Sequence, residues 1–327
     1  MNPHINAVIV FPRLYIQNFN VASAPFTWGA PAPSATIGFM HALQRTLSPD
    51  IALRFRSIGY VVHELTPQTH DGYVQTFNLT RNPLGADEKT QAIVEEGRAH
   101  MEASIVLGVE IQSEDWRQNK HPELEALVER LADTLVRMRF AGGTIWPSSP
   151  APRRRTQDAP YYRLIMQDSE ENEEAMRRLR RRLLPGYALV SRHGWLGEQQ
   201  EKRKEQGLSH NLIDAWMDSG RVTYRCVSED VENKNVKWVS SRQKGDGWLV
   251  PIPAGFVGLG ARNEPGTVKN SRDETLPFHF VETAYSVGEW VGIHRLQQWQ
   301  ELLWYPETNE EQGTYLCKND YETLSGL

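Results

Sequence analysis

Apolar and polar positions along this chain follow two rhythms, one of strands and one of helices. Residues 7–11 form an unbroken apolar run, which predicts a central strand buried on both faces. A Pro- and Gly-rich connection follows, from Ala24 to Pro33. Ser34 then stands where a helix N-cap belongs, and Phe39 or Met40, Leu43 and Leu47 recur at helical spacing, predicting a helix over residues 35–47. Ile58, Tyr60 and Val62 alternate within 53–64, a second strand. Met101, Ala103, Ile105, Leu107, Val109 and Ile111 alternate cleanly with residues that include His100, Glu102, Ser104 and Glu110, predicting a half-buried strand. A second helix starts near Pro122 and carries Leu124, Leu127, Val128, Leu131, Leu135 and Met138 on one face, with Gly142-Gly143 ending it. A further strand is predicted near 161–166.

The resulting β-α-β-β-α-β order predicts an α+β protein with a ferredoxin-like, or RRM-like, core. Residues 67–97 form an excursion too long for a hairpin turn, and loops of that length usually carry function or structure of their own. Residues 168–182 read as a helix with acidic residues first and Arg177, Arg178, Arg180, Arg181 and Arg182 last, an order that suits the helix dipole, and Pro185-Gly186 stops it. The reading divides the chain into a core at 1–193, a polar insertion with one amphipathic helix at 194–245, and a Pro-, Gly- and Trp-rich part at 246–327 that packs on the core and holds a helix over 287–304.

Composition narrows the classes. The 327 residues are 39% hydrophobic and 24% charged, with ten Trp, enough for a packed core and against disorder. No apolar run approaches the roughly 18 residues of a membrane span. The N-terminus lacks a basic region and meets Pro12 after a short apolar run, so it reads as a strand rather than a signal peptide, and a reducing cytoplasm is expected. Cys226 and Cys317 have no metal-ligand spacing, and the sequence leaves a disulfide between them open. The net charge of −5 conceals an uneven distribution: residues 130–192 hold 13 basic and 7 acidic side chains, a local excess of six positive charges. Of the 36 basic residues 27 are Arg, whose planar fork matches phosphate and stacks on bases, although a GC-rich genome would produce the same bias.

Catalytic motifs are missing. There is no HExxH, GxSxG, P-loop or CxxC, and Gly258-Leu259-Gly260 lacks the third glycine of a dinucleotide loop. His63, His70 and Asp71 lack the second set of partners a metal site needs, so no metal and no cofactor is expected. What remains is binding chemistry. In a helix Arg177, Arg178, Arg181 and Arg182 span one broad arc, with Leu179 and Leu183 on the buried side; a polyanion relieves the mutual repulsion of such a run and releases counterions. Glu173 and Glu174 pair with part of it at most. Arg153-Arg154-Arg155 adds a second basic cluster in a Pro-rich loop. Phe77 to Pro83, bracketed by Arg81 and Arg98, mixes an aromatic ring, amides and a cation, as single-stranded RNA sites do and as ordinary ordered loops also do. No RNP1 octapeptide is present, so an RRM-like fold here is expected to hold RNA by loops and edges.

Several segments together carry a family resemblance: Phe11-Pro12-Arg13-Leu14, Leu43-Gln44-Arg45, Phe77 through Leu84, Ile93 through His100, Arg181 through Gly186, and Gly247 through Gly255. They resemble, in order along the chain, the second Csy subunit of type I-F CRISPR–Cas surveillance complexes, the subunit in the Cas-five role; residues 194–245 show no such resemblance. The resemblance implies a noncatalytic RNA-binding protein with a ferredoxin-like core. It would hold the 5′ handle of the CRISPR RNA, pair with the large subunit at the foot of the backbone filament, and meet target DNA through the assembled complex; phage anti-CRISPR proteins are further partners. The excursion would then be a thumb-like element, and Arg81, Asn82, Arg98 and Arg139 join the arginines of 177–182 as expected phosphate and base contacts. Two alternatives stand beside this: a repeat-RNA endoribonuclease using His41, His100 or Tyr73, and a purely protein–protein clamp.

Overall fold

The apolar run opens β1 (Ala7–Asn20), whose residues 7–11 are buried on both sides, as predicted. The computed structural model describes residues 4–118, 122–146, 164–166, 170–230, 235–242 and 244–326. A hairpin of β2 (Ala22–Ala24) and β3 (Thr27–Trp28) leads into α1 (Pro33–Gln44), then β4 (Leu53–Pro67). Two small hairpins occupy the excursion, β5 (Thr69–Asp71) with β6 (Gln75–Phe77), and β7 (Leu79–Arg81) with β8 (Ile93–Glu95). β9 (Arg98–Ile111), α2 (Glu114–Gln118), α3 (Pro122–Leu135), β10 (Arg139–Phe140), β11 (Gly143–Trp146), β12 (Leu164–Met166), α4 (Glu170–Arg182) and β13 (Tyr187–Ser191) follow. The remainder comprises α5 (Trp195–Glu205), α6 (Leu212–Gly220), a hairpin of β14 (Tyr224–Asp230) and β15 (Asn235–Ser240), β16 (Leu249–Gly258), β17 (Val281–Gly292), two 3-10 turns (Ile293–Arg295 and Trp299–Leu302), β18 (Trp304–Asn309), β19 (Thr314–Asn319) and α7 (Tyr321–Ser325).

The protein is a mixed α/β fold on one large antiparallel sheet. Its order is β10-β11-β1-β9-β4-β13-β17-β16-β19-β18, with β12 also paired to β1. The sheet curls until β18 meets β4 again, Trp304 opposite Ile58. Both sides are packed. On one, α1 and α3 bury Ile37, Met40, Leu43, Leu124, Val128 and Leu131 against Ile9, Phe11, Ile16, Met101 and Ile105. On the other, Leu179 of α4 and Leu183 just after it lie with Leu296, Trp299, Leu302 and Leu303 over Val8, Val10, Val61 and Val106. Burying apolar surface on two sides is what an unbroken apolar strand requires.

Several expectations are corrected. The cap of α1 is Ala32, not Ser34, and makes no side-chain cap bond; Pro33, with its fixed φ and absent N–H, takes the first-turn position. β9 is more than half-buried, because the 3-10 turns and α4 cover its middle on the second side; alternating exposure is kept only at its two ends, residues 98–102 and Glu110. Gly142-Gly143 lies beyond the end of α3, in the β10–β11 turn, where Ala141 and Gly142 adopt φ of 47° and 80°. Residues 287–304 are not a helix: β17 continues to Gly292, and the 3-10 turns follow. Val287 and Val291, four residues apart, fit either period, and pairing of β17 with both β13 and β16 decides it. Residues 194–245 hold two helices and a hairpin rather than one amphipathic helix. Cys226 and Cys317 are not joined. Of the strand near 161–166, residues 161–163 lie outside the described residues, as do Arg153-Arg154-Arg155.

Candidate nucleic-acid interface

The site is built by alternation along the two central strands. On β9, Ala99, Met101, Ala103 and Ile105 enter the core under α1 and α3, so Arg98, His100, Glu102 and Ser104 face the opposite side, in line with Val106. On β1 a bulge between Phe11 and Leu14, with Arg13 at φ 51°, keeps Leu14 and Ile16 in the core and turns Tyr15 and Gln17 to that same opposite side. Thr144 pairs with Gln17 and Trp146 with Tyr15, which places both beside them. This side of the sheet is therefore divided: α4 and the 3-10 turns cover the apolar half, and among the described residues a polar half stays open.

The open half is ordered by its own contacts. Tyr15 stacks on His100 with ring centroids 5.8 Å apart. The Asn18 backbone N–H donates to Nδ1 of His100 (3.1 Å), and Nε2 of Gln68 lies 3.1 Å from the other ring nitrogen and donates to Oδ1 of Asn18 (3.0 Å). Trp146, 49% exposed, donates from its indole N–H to Oε1 of Gln17 (3.2 Å). Arg139 donates to Oγ1 of Thr144 from the adjacent strand. Arg98 pairs with Glu96 (3.0 Å) at the root of the excursion. Arg98, whose guanidinium lies by the β10–β11 turn, and Arg139 share this side of the sheet with the rings of Tyr15, His100 and Trp146, a combination chemically suited to stacking on bases and meeting phosphates.

The end of α4 is fastened to the boundary between the halves. Arg13 donates to the Leu184 carbonyl (2.8 Å) and pairs with Glu102 (2.5 Å). His63 donates from Nδ1 to the Pro185 carbonyl (2.7 Å), so its Nε2 accepts from the Ser104 hydroxyl (2.7 Å), which in turn accepts from the Arg13 backbone N–H (3.0 Å). Burial pushes the His63 imidazole down to about 4; its bond to Pro185 opposes the shift and the nearby Arg13 charge adds to it. Along α4 itself, Arg177, Arg178, Arg181 and Arg182 are exposed while Leu179 and Leu183 are buried, the arc the sequence predicts. Arg178 pairs with Glu174 (2.5 Å), and that bond, with the surrounding arginine charge, holds the Glu174 carboxyl below its usual range. Arg180 differs from its neighbours: it is part-buried and donates to the Leu296 carbonyl, fastening the helix to the first 3-10 turn.

The structure thus brings Arg98, Arg139 and the α4 arginines to one side of the sheet. Arg81 and Asn82 are separated from them, at the outer hairpin of the excursion; Arg81 is in register with Ile93, and Asn82 donates to the Ala92 carbonyl (3.3 Å). The sequence reading did not group Tyr15, Gln17, His100 and Trp146 as a set. The polar positions of β9 were visible in its alternation. That Tyr15 and Trp146 join them depends on the β1 bulge and the β10–β11 hairpin, which leave no periodic trace. His41, His100 and Tyr73 are not grouped: they lie on α1, on the open sheet face and in the β5–β6 turn. Among the described residues no group of three or more His, Cys, Asp or Glu could hold a metal ion, and no helix is long and apolar enough to cross a membrane.

Compared with known proteins, the chain matches the family model described as CRISPR-associated protein (Cas_Csy2) over residues 9–317. It is 38% identical over 318 residues to the CRISPR-associated protein Csy2 of Pseudomonas aeruginosa (strain UCBPP-PA14), an alignment covering 94% of each chain.

Proposed function

The chain belongs to the Csy2 family of CRISPR-associated proteins, subunits of type I-F Csy complexes, and on that premise we propose that it is a noncatalytic subunit that holds the 5′ handle of the CRISPR RNA. The handle lies on the open half of the sheet, bordered by the arginine arc of α4. One observation carries this reading: exposed arginines, a stacked Tyr15–His100 pair and half-exposed Trp146 converge on the side of the sheet that α1 and α3 leave uncovered. The order β11-β1-β9-β4, antiparallel throughout and crossed over by α1 and α3, supports a ferredoxin-like core, whose free face is this one.

In this reading the protein contributes shape and backbone contacts while base pairing by the guide reads the foreign DNA. The fastening at Arg13, His63 and Ser104 has a positioning role, fixing the end of α4 relative to the platform so that phosphates and bases are met in one register. The excursion, with exposed Tyr73, Leu79, Leu84 and Ile93, reaches toward a neighbouring subunit, and the molecule bridges the large subunit to the filament in the cytoplasm.

The test is co-expression with the large subunit and a CRISPR array, purification through a tag on this chain, and sequencing of the bound RNA. Short RNA with one common repeat-derived 5′ end is expected, and an alanine variant of Tyr15 and Trp146 should lose it while keeping the protein partner. A stable protein pair without RNA would overturn the reading in favour of a protein clamp, and cleavage of free repeat RNA by the pure chain in favour of a nuclease.

A further inference from the structure

A second concentration of positive charge lies in the part of the chain that the sequence left unassigned. Trp195, Gln199, Lys202, Arg203 and Gln206 recur at three- and four-residue steps, so they share one side of α5. Facing them across a cleft of about 610 Å³ are Thr223, Arg225 and Val239 of the β14–β15 hairpin region, with Ser240, Ser241 and Arg242. The lining holds five cations, Lys202, Arg203, Arg221, Arg225 and Arg242, against two carboxylates, Asp218 and Asp246.

Its floor is pre-organised. Asp218 accepts from Gln199 (2.8 Å), Arg203 (2.7 Å) and Arg221 (2.5 Å); burial alone pushes its carboxyl up, but these three donors outweigh that and hold it below the usual carboxylate range. Arg203 also donates to the Ser209 carbonyl (2.5 Å), and Arg242 donates to the Ser219 carbonyl. The carboxylate is thereby committed inside the wall. Lys202 and Arg225 are exposed and make no ion pair among the described residues. Two exposed cations without an ion pair among the described residues, hydroxyl and amide donors, and the Trp195 ring in one open cleft are the components by which proteins track a nucleic-acid backbone without reading its sequence. An enclosed site for a small anion would instead aim its donors at one point.

We propose that the cleft between α5 and the β14–β15 hairpin is a second phosphodiester-backbone site, which holds a strand of nucleic acid independently of the open sheet face. It goes beyond the handle reading and does not depend on it.

The experiment uses the full chain and fluorescence anisotropy with two labelled probes, a single-stranded RNA and a DNA duplex of mixed sequence, in four proteins. These are the parent, the variant Lys202→Gln with Arg225→Gln, an α4 variant with Arg177, Arg178, Arg181 and Arg182 changed to Ala, and the combination of both sets. Both glutamines sit at exposed positions, and circular dichroism checks that the fold is kept. The α4 variant should retain binding to at least one probe, and adding the cleft substitutions should weaken that residual binding roughly tenfold and flatten its salt dependence, by about 1.4 in log–log slope on single strands. Loss on duplex alone assigns the cleft to DNA, and loss on RNA alone to RNA. Residual binding within twofold of its parent after the cleft substitutions would overturn the proposal. Competition by polyglutamate combined with no nucleic-acid effect would also overturn it, assigning the cleft to an acidic protein segment.

Discussion

Changing Arg177, Arg178, Arg181 and Arg182 together to alanine, with Arg180 kept, isolates the electrostatic part of RNA binding. Arg180 is spared because its guanidinium donates to the Leu296 carbonyl and helps hold α4 in place, so replacing it mixes folding with binding. The other four are exposed on the outer arc, and Leu179 and Leu183, which anchor the helix, are untouched. If each arginine neutralises one phosphate of a single strand, the four contribute a slope of about −2.8 to log affinity against log salt. A fourfold rise in salt then weakens that part of the binding about 50-fold. The Glu174–Arg178 pair competes for one of the four, so a slope nearer −2 is the lower bound of the same reasoning. The assay is a salt titration of handle-bearing RNA binding, by anisotropy, for parent and variant. The account predicts slopes differing by about 2 to 3 and little change in melting temperature. Equal slopes would refute it, because they would mean that the arc faces no phosphates.

Other consequences bear on the fold and its pH dependence. Trp304, 2% exposed and donating to the Leu189 carbonyl (2.9 Å), closes the curled sheet; Trp304→Ala should cost about 4 kcal/mol or more in chemical denaturation, whereas Trp248→Ala, at a residue 58% exposed, should cost far less. Equal losses would show that Trp248 is as embedded as Trp304. Gly255→Ala should destabilise by roughly 2 kcal/mol or more, since Gly255 holds φ +137° in the β16 bulge and an added Cβ would sit 2.1 Å from the Tyr315 carbonyl oxygen; unchanged melting would contradict the bulge. His63 resists protonation in the folded state down to about pH 4 but titrates near 6.5 when unfolded. The His63 contribution to stability is therefore constant above about pH 6.5, falls by about 3 kcal/mol as pH drops toward 4, and levels off below. His63→Gln should flatten that limb, and parallel profiles for parent and variant would remove His63 as its cause.

Much of the first half was legible because its periods are unambiguous. The run at 7–11 can serve only a strand buried on both faces, and Pro122 with its following apolar stripe marks the start of α3. Residues 287–304 were misread because Val287 and Val291, four residues apart, satisfy both periods, and the partners that decide between them, β13 and β16, are distant in sequence. The site divides in the same way. The α4 arc is a local property of one helix and could be read from spacing. The platform of Tyr15, His100 and Trp146 comes from three strands, one of them shifted by a bulge, and no local pattern joins them. The role of Arg180 was equally hidden, since its partner Leu296 is 116 residues away.

The central claim, that RNA lies on the side of the sheet bordered by α4, is tested most directly by photocrosslinking within the assembled complex. Guide RNA carrying 4-thiouridine in its 5′ handle is irradiated, and the adducts on this chain are mapped by mass spectrometry. Adducts at Tyr15, His100 or Trp146, or on the exposed arc of α4, are the predicted result. Adducts confined to α1 and α3, on the opposite side of the sheet, would contradict the account.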